Sequence, residues 1–273
     1  MRPTCHFGVT AAFAIAASSA WAVPTTSSVS GANAAAVQPT VDAFRASLGP
    51  LNANVAGSFG SGRREINWDG VPVSLAAPNS LPADFFNTNS PRGVVLSTPG
   101  TGFQVSGTPI EFGNIHPSYP GLFAAFSPTR LFTAIGSNVT DVSFFVPGSS
   151  VVASVSGFGV VFTDVDLPNV TSLQFFDLSN SLLGTFYAPP TAGIDQGFSF
   201  IGVAFSTERI GRVRITAGNQ VLGGVEVGDL VVMDDFIYSE PGVTAVPEPA
   251  SMWFLLGGLS VVGALSRRRR AGR

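Results

Sequence analysis

Along this chain the apolar positions fall into short runs broken by turn residues, most clearly after Pro91. Val- and Phe-rich stretches occur at 93–97, 139–146, 149–155, 159–165, 172–177, 182–187, 198–205, 210–217 and 230–238. Runs of that length, bounded by Gly, Pro, Asn, Asp and Ser, are strand signals. Within Arg212-Val213-Arg214-Ile215-Thr216 polar and apolar residues alternate strictly, the mark of a half-buried strand. Phe175-Phe176-Asp177, Ser179-Asn180-Ser181 and Leu182-Leu183 predict one hairpin. No useful helical period separates the runs. The predicted fold is all-β, an antiparallel β-sandwich of jelly-roll type.

Upstream the pattern is weaker. Residues 42–48 have a short helical look, stopped by Gly49-Pro50. From there to about Pro91 the chain is rich in Gly, Pro, Asn and Ser, which predicts long loops with one or two short strands. Residues 23–37, mostly small and polar, read as a flexible leader to a β-sandwich domain over 38–243. Two segments echo one another: 138–145 (NVTDVSFF) and 169–176 (NVTSLQFF). Two strands facing similar cores explain this more simply than a duplication.

Both ends carry patterns of another kind. Met1-Arg2 precedes an alanine-rich apolar run at 9–17, and Ala20-Trp21-Ala22 is a small-x-small site. This is the layout of a secretory signal peptide over 1–22, cleaved after Ala22. At the other end stand Pro247, Glu248 and Pro249, then 16 uncharged residues at 250–265, then Arg267, Arg268, Arg269 and Arg270. As a helix the apolar stretch spans about 24 Å at about 1.5 Å per residue, short for a membrane core of about 30 Å. The arginines place the chain's end in the cytoplasm and its body outside.

Those three parts in that order resemble the PEP-CTERM sorting signal of Gram-negative bacteria, over 246–270. The resemblance implies processing by an exosortase after Sec-dependent export. It further implies a transient hold in the inner membrane as a transmembrane precursor, and a destination at the cell surface or in the extracellular polysaccharide of a biofilm matrix. An uncleaved single-span anchor is the alternative. The body also looks like the β-sandwiches of other PEP-CTERM proteins, through 157–166 (GFGVVFTDVD) and 232–241 (VMDDFIYSEP). That likeness implies no activity.

Composition narrows the chemistry. Between the two end signals, residues 23–249 hold 17 acidic side chains and 8 arginines, no Lys and no Cys, for a net charge of −9. Such a charge argues against nucleic acid as a partner, and disulfide and thiol chemistry are excluded from that stretch.

Three sets of residues remain as candidate sites. Asp164 and Asp166, two apart on a strand, share a face about 6.6 Å apart at roughly 3.3 Å per residue. With Asp235 they could form a structural Ca²⁺ site, since calcium takes several hard oxygen ligands. A turn cap and an Asp–Arg bridge to Arg212 or Arg214 would serve equally. In a regular strand Asp234 and Asp235 point to opposite faces. Trp68, with Asn67 and Asp69, could stack on a sugar ring. Alternatively, Trp68 covers one end of the sandwich and Asp69-Gly70 makes a turn. His116, the one His of the body, has no Gly-x-Ser-x-Gly partner motif. No catalytic residue is marked. The expected function is therefore a non-enzymatic exported protein that binds glycan or another matrix component. The alternative is a polysaccharide-active hydrolase or lyase using two carboxylates on a jelly roll.

Overall fold

A computed structural model describes residues 23–107, 111–191, 193–207, 209–224 and 228–243. The expected signal-peptide cleavage site at Ala20 and Ala22, and the tail from Pro247 to Arg270, lie outside the described residues.

Two antiparallel sheets face each other. The larger contains β1 (Thr25–Gly31), β2 (Arg63–Ile66), β4 (Gly102–Val105), β5 (Phe132–Ile135), β7 (Gly157–Thr163), β10 (Phe198–Ala204) and β12 (Val232–Ser239). Its order is β1-β10-β7-β12-β5-β4, with β2 also paired to β12. The smaller contains β3 (Val94–Ser97), β6 (Val139–Phe144), β8 (Ser172–Phe176), β9 (Leu182–Tyr187) and β11 (Arg212–Thr216), ordered β3-β6-β11-β8-β9. The chain is mostly β, as the pattern predicts, and the β8–β9 hairpin forms. The two echoing segments supply β6 and β8, which flank β11 on either side.

Burial explains the patterns. β7 is buried along its whole length, because both faces of this central strand are covered. Phe158, Val160 and Phe162 enter the core between the sheets. Val161 joins Val37, Val41, Phe44 and Phe200 in a second cluster, under α1 (Ala34–Leu48). A strand buried on both faces reads as a continuous apolar run. β11 keeps one wet face, and there the alternation survives: Val213 and Ile215 are buried, Arg212 and Arg214 are not.

Residues 23–37 are a correction. They are not a flexible leader, because Thr25–Gly31 adds β1 to the edge of β10 in full register and α1 begins at Ala34. Asn33 caps that helix by accepting from the Ala36 N–H at 3.1 Å, a strong N-terminal signal. Pro39 lies inside the helix; a mid-helix proline reads as a break, which is why the pattern starts only at 42. The stop is as predicted: Gly49 has φ 95°, a conformation that favours glycine.

Candidate functional site

Two groups of neighbouring carboxylates stand out in the described part of the body. The first lies at the end of the sandwich where β7 stops. Asp164 takes a left-handed φ of 69° just past the strand, which turns the chain away from the sheet. Asp229, fully buried, accepts from the backbone N–H groups of Asp166 at 3.0 Å and Leu167 at 3.2 Å. Asp166 in turn accepts from Gly193 N–H at 3.0 Å. Asp164 is 4% exposed, and its Oδ1 is buried with no hydrogen-bond partner. Burial, followed by the charges of Asp166, Asp195 and Asp229, pushes its carboxyl up to about 8. Asp164 is therefore a neutral acid at neutral pH.

The structure thus brings Asp164 and Asp166 together but adds Asp229 and Asp195, not Asp235. The calcium trio of Asp164, Asp166 and Asp235 is corrected on that point. Among the described residues no three acidic, His or Cys side chains stand where they could jointly hold a metal ion.

The second gathering lies on β12, under the 123–129 segment. There Met233 pairs Phe162 while Phe236 pairs Val160. Three steps on β12 thus oppose two on β7, which is a β-bulge. The extra residue undoes the period of two, so Asp234 and Asp235 do not point to opposite faces. Both reach the Ser127 hydroxyl, Asp235 at 2.7 Å and Asp234 at 3.2 Å. Asp234 also accepts from the N–H groups of Phe126 at 2.6 Å and Ser127 at 3.1 Å. Asp235 pairs with Arg45 of α1 at 2.6 Å, and Arg45 with Glu65 at 3.1 Å.

Burial raises both carboxyls, Asp234 well above the ordinary range. The neighbouring charge of Asp235 adds to the rise at Asp234, whereas Ser127 and Arg45 hold back the rise at Asp235. The bridge to Arg212 or Arg214 does not form. Those arginines grip Asp141 instead, at 2.6 and 2.8 Å, which holds its carboxyl down.

Trp68 is a correction too. At 1% exposure it is a core residue. Its indole stacks on Phe132 with centroids 4.0 Å apart and planes 3° apart, and meets Phe86 and Phe236 edge-on. Its Nε1–H donates to the Asp234 carbonyl at 2.9 Å. No ring face is left for a sugar. Its neighbours turn outward: Asn67 is exposed and donates to Asp69 at 3.0 Å, while Asp69 accepts from the Thr129 and Arg130 N–H groups. The proposed glycan trio therefore does not share a face. Exposed His116 bonds through Nδ1 to the Ser118 hydroxyl at 2.7 Å.

One ion pair had no signal in the sequence, because its partners are 176 positions apart. Arg64 and Glu240, 0% and 1% exposed, form a two-pronged bridge at 2.7 and 2.9 Å. The rest of the guanidinium is satisfied by the carbonyls of Val55, Gly57 and Pro91.

Three surface cavities of about 270, 320 and 300 Å³ indent the body. Among the described residues, Glu111, in the second, is the one acid lining any of the three. Both carboxylate gatherings lie elsewhere: Asp229, Asp234 and Asp235 are buried and engaged by backbone N–H groups, Ser127 and Arg45, while Asp166 is half-buried and Asp195 exposed.

Among the described residues no helix is long and apolar enough to cross a membrane. No curated protein and no solved structure matches the chain. Residues 245–270 match the family model of the PEP-CTERM protein-sorting motif. The chain thus carries a PEP-CTERM protein-sorting motif at residues 245–270.

Proposed function

We propose that this protein is a non-enzymatic exported component of the cell surface or extracellular matrix of a polysaccharide-producing Gram-negative bacterium. Its signal peptide is removed after Ala22. The apolar stretch 250–265 then holds the body in the inner membrane until the exosortase releases it. The carrying observation is the sorting motif at 245–270. The strand path supports a jelly-roll reading of the sandwich, since from β6 to β12 the chain passes repeatedly between the two sheets.

Two features favour a binding or structural role over carbohydrate hydrolysis. Paired carboxylates of a glycosidase stand roughly 5 to 9.5 Å apart across an open groove. Here Asp234 and Asp235 are 0% and 1% exposed and tied to Ser127. Asp166 and Asp229 cap backbone N–H groups.

Expression in a host with and without its exosortase tests the sorting half. The expected outcome is a shortened protein outside the cell in the first and an envelope-bound precursor in the second. Identical products in both strains would reject it. A glycan array and a hydrolysis screen on the processed protein test the other half. The expected result is no turnover, and measurable hydrolysis of any polysaccharide would favour the enzyme.

A further inference from the structure

The strand register sets both ends of the body at one end of the sandwich. Thr25 pairs Ala204, Ala204 pairs Gly157, and Phe158 pairs Tyr238. The first residues of β1 and the last of β12 therefore lie side by side, three strand spacings or about 15 Å apart. The segment leaving β12 continues along that end, where Gly242 bridges Ser154. Six residues, 244–249, then separate Val243 from the apolar stretch. Even fully extended they reach only about 20 Å. While the tail is in the bilayer, this end of the body stays close to the lipid.

The same end has an unusual surface. The 50–62 loop and the 145–152 turn are joined there by the Gly57 N–H donating to the Pro147 carbonyl at 2.8 Å. The buried Arg64–Glu240 pair fixes both to the exit of β12, with Glu240 also accepting from Phe59 N–H. Out of this rigid base project Leu51, Val55, Phe59, Val151, Val152 and Val243, each between 49% and 64% exposed. Segments 46–62, 142–163 and 241–247 contain no charged residue. Two cationic residues border this end, Arg63 beside Ser239 and ion-paired with Glu65, and Arg209 beside Val155, while Glu240 is buried against Arg64. The opposite end, about 20 Å away along β7, carries Asp164, Asp166, Asp195 and Asp229.

We infer that the collar formed by Leu51, Val55, Phe59, Val151 and Val152 rests on the outer surface of the bilayer that receives the tail. The occupant is phospholipid, and the proposal rests on the anchored precursor. Shallow apolar side chains with cationic neighbours suit an anionic lipid interface. The acidic end, repelled by the same lipid, faces away. The body therefore stands on the membrane in one orientation, presenting the loops around Asp164 and Asp195 outward.

The test uses the full chain with Cys5→Ser, reconstituted in phosphatidylethanolamine–phosphatidylglycerol vesicles bearing a headgroup spin label. A polarity-sensitive fluorophore is placed on Phe59→Cys, Val152→Cys or Ile194→Cys, all three exposed positions. Expected are a blue shift and loss of emission at 59 and 152, and neither at 194. Equal emission and quenching at all three sites in chains that float with the vesicles would overturn the orientation and leave the tail unaffected. Chains that do not float would overturn the anchoring and the collar contact together.

Discussion

At the scale of single residues, chemistry inferred from residue type depends on which way a side chain points. Trp68 has the right neighbours for a sugar platform, and its polar company is legible in the sequence. What the sequence hides is φ: at +66° the backbone sends the indole inward while Asn67 and Asp69 go outward. Trp68→Ala would then remove a stacked core aromatic and cost about 3–5 kcal/mol. Urea unfolding measures that, and any glycan affinity of the protein stays unchanged.

Asp164 makes a second prediction. Folded, it keeps its proton up to about 8, whereas an unfolded aspartate loses it near about 4. Across that window the native state binds more protons than the unfolded chain, so stability falls as the pH rises. The loss is absent below the window and complete above it. Asp164→Asn, which cannot ionise, flattens this share of the slope in unfolding curves taken from pH 4 to 9. An unchanged slope would mean that neither its burial nor the neighbouring carboxylates hold its proton.

At the scale of elements, periodicity located most strands that have one dry and one wet face, and the β8–β9 hairpin with them. It failed where tertiary contacts override the period. β1 is polar because it is an edge strand, and its Ser and Thr residues look like a linker. The bulge in β12 costs one residue of register, enough to bring Asp234 and Asp235 to the same hydroxyl.

α1 sits on β7 and β10 because Gly159 and Gly202 leave room for it. A Cβ at Gly202 would lie 2.8 Å from the Phe44 ring, and one at Gly159 2.9 Å. Gly202→Ala should therefore lift the helix and cost about 1–3 kcal/mol, read as a lower thermal midpoint with weakened helical dichroism. Breaking the Arg64–Glu240 pair by Glu240→Gln should cost about 3–5 kcal/mol, because it strands a buried guanidinium. Replacing both partners by Met and Leu should recover much of that loss in the same urea assay.

At the scale of the whole molecule, the sequence carried the destination more plainly than the chemistry. A sorting tail is read as a linear string, so Pro247, Glu248, Pro249 and the arginine run needed no fold to be seen. The acidic gatherings are products of the fold. Asp229 joins Asp164 and Asp166 from more than 60 positions away, and no spacing announces that. Charge is likewise polarised only in three dimensions, with carboxylates at one end and a neutral apolar collar at the other. The tail's Arg267 to Arg270 partly offset the body's −9 in the full chain, so release of the tail would leave a more acidic protein.

The central claim is that this acidic sandwich is delivered by its two end signals and parted from both. Intact mass spectrometry of the protein recovered from outside the cell tests it most directly. The predicted species begins at Val23 and lacks the arginine run. A protein that still carries Arg273 would contradict the claim and leave a plain membrane anchor in its place.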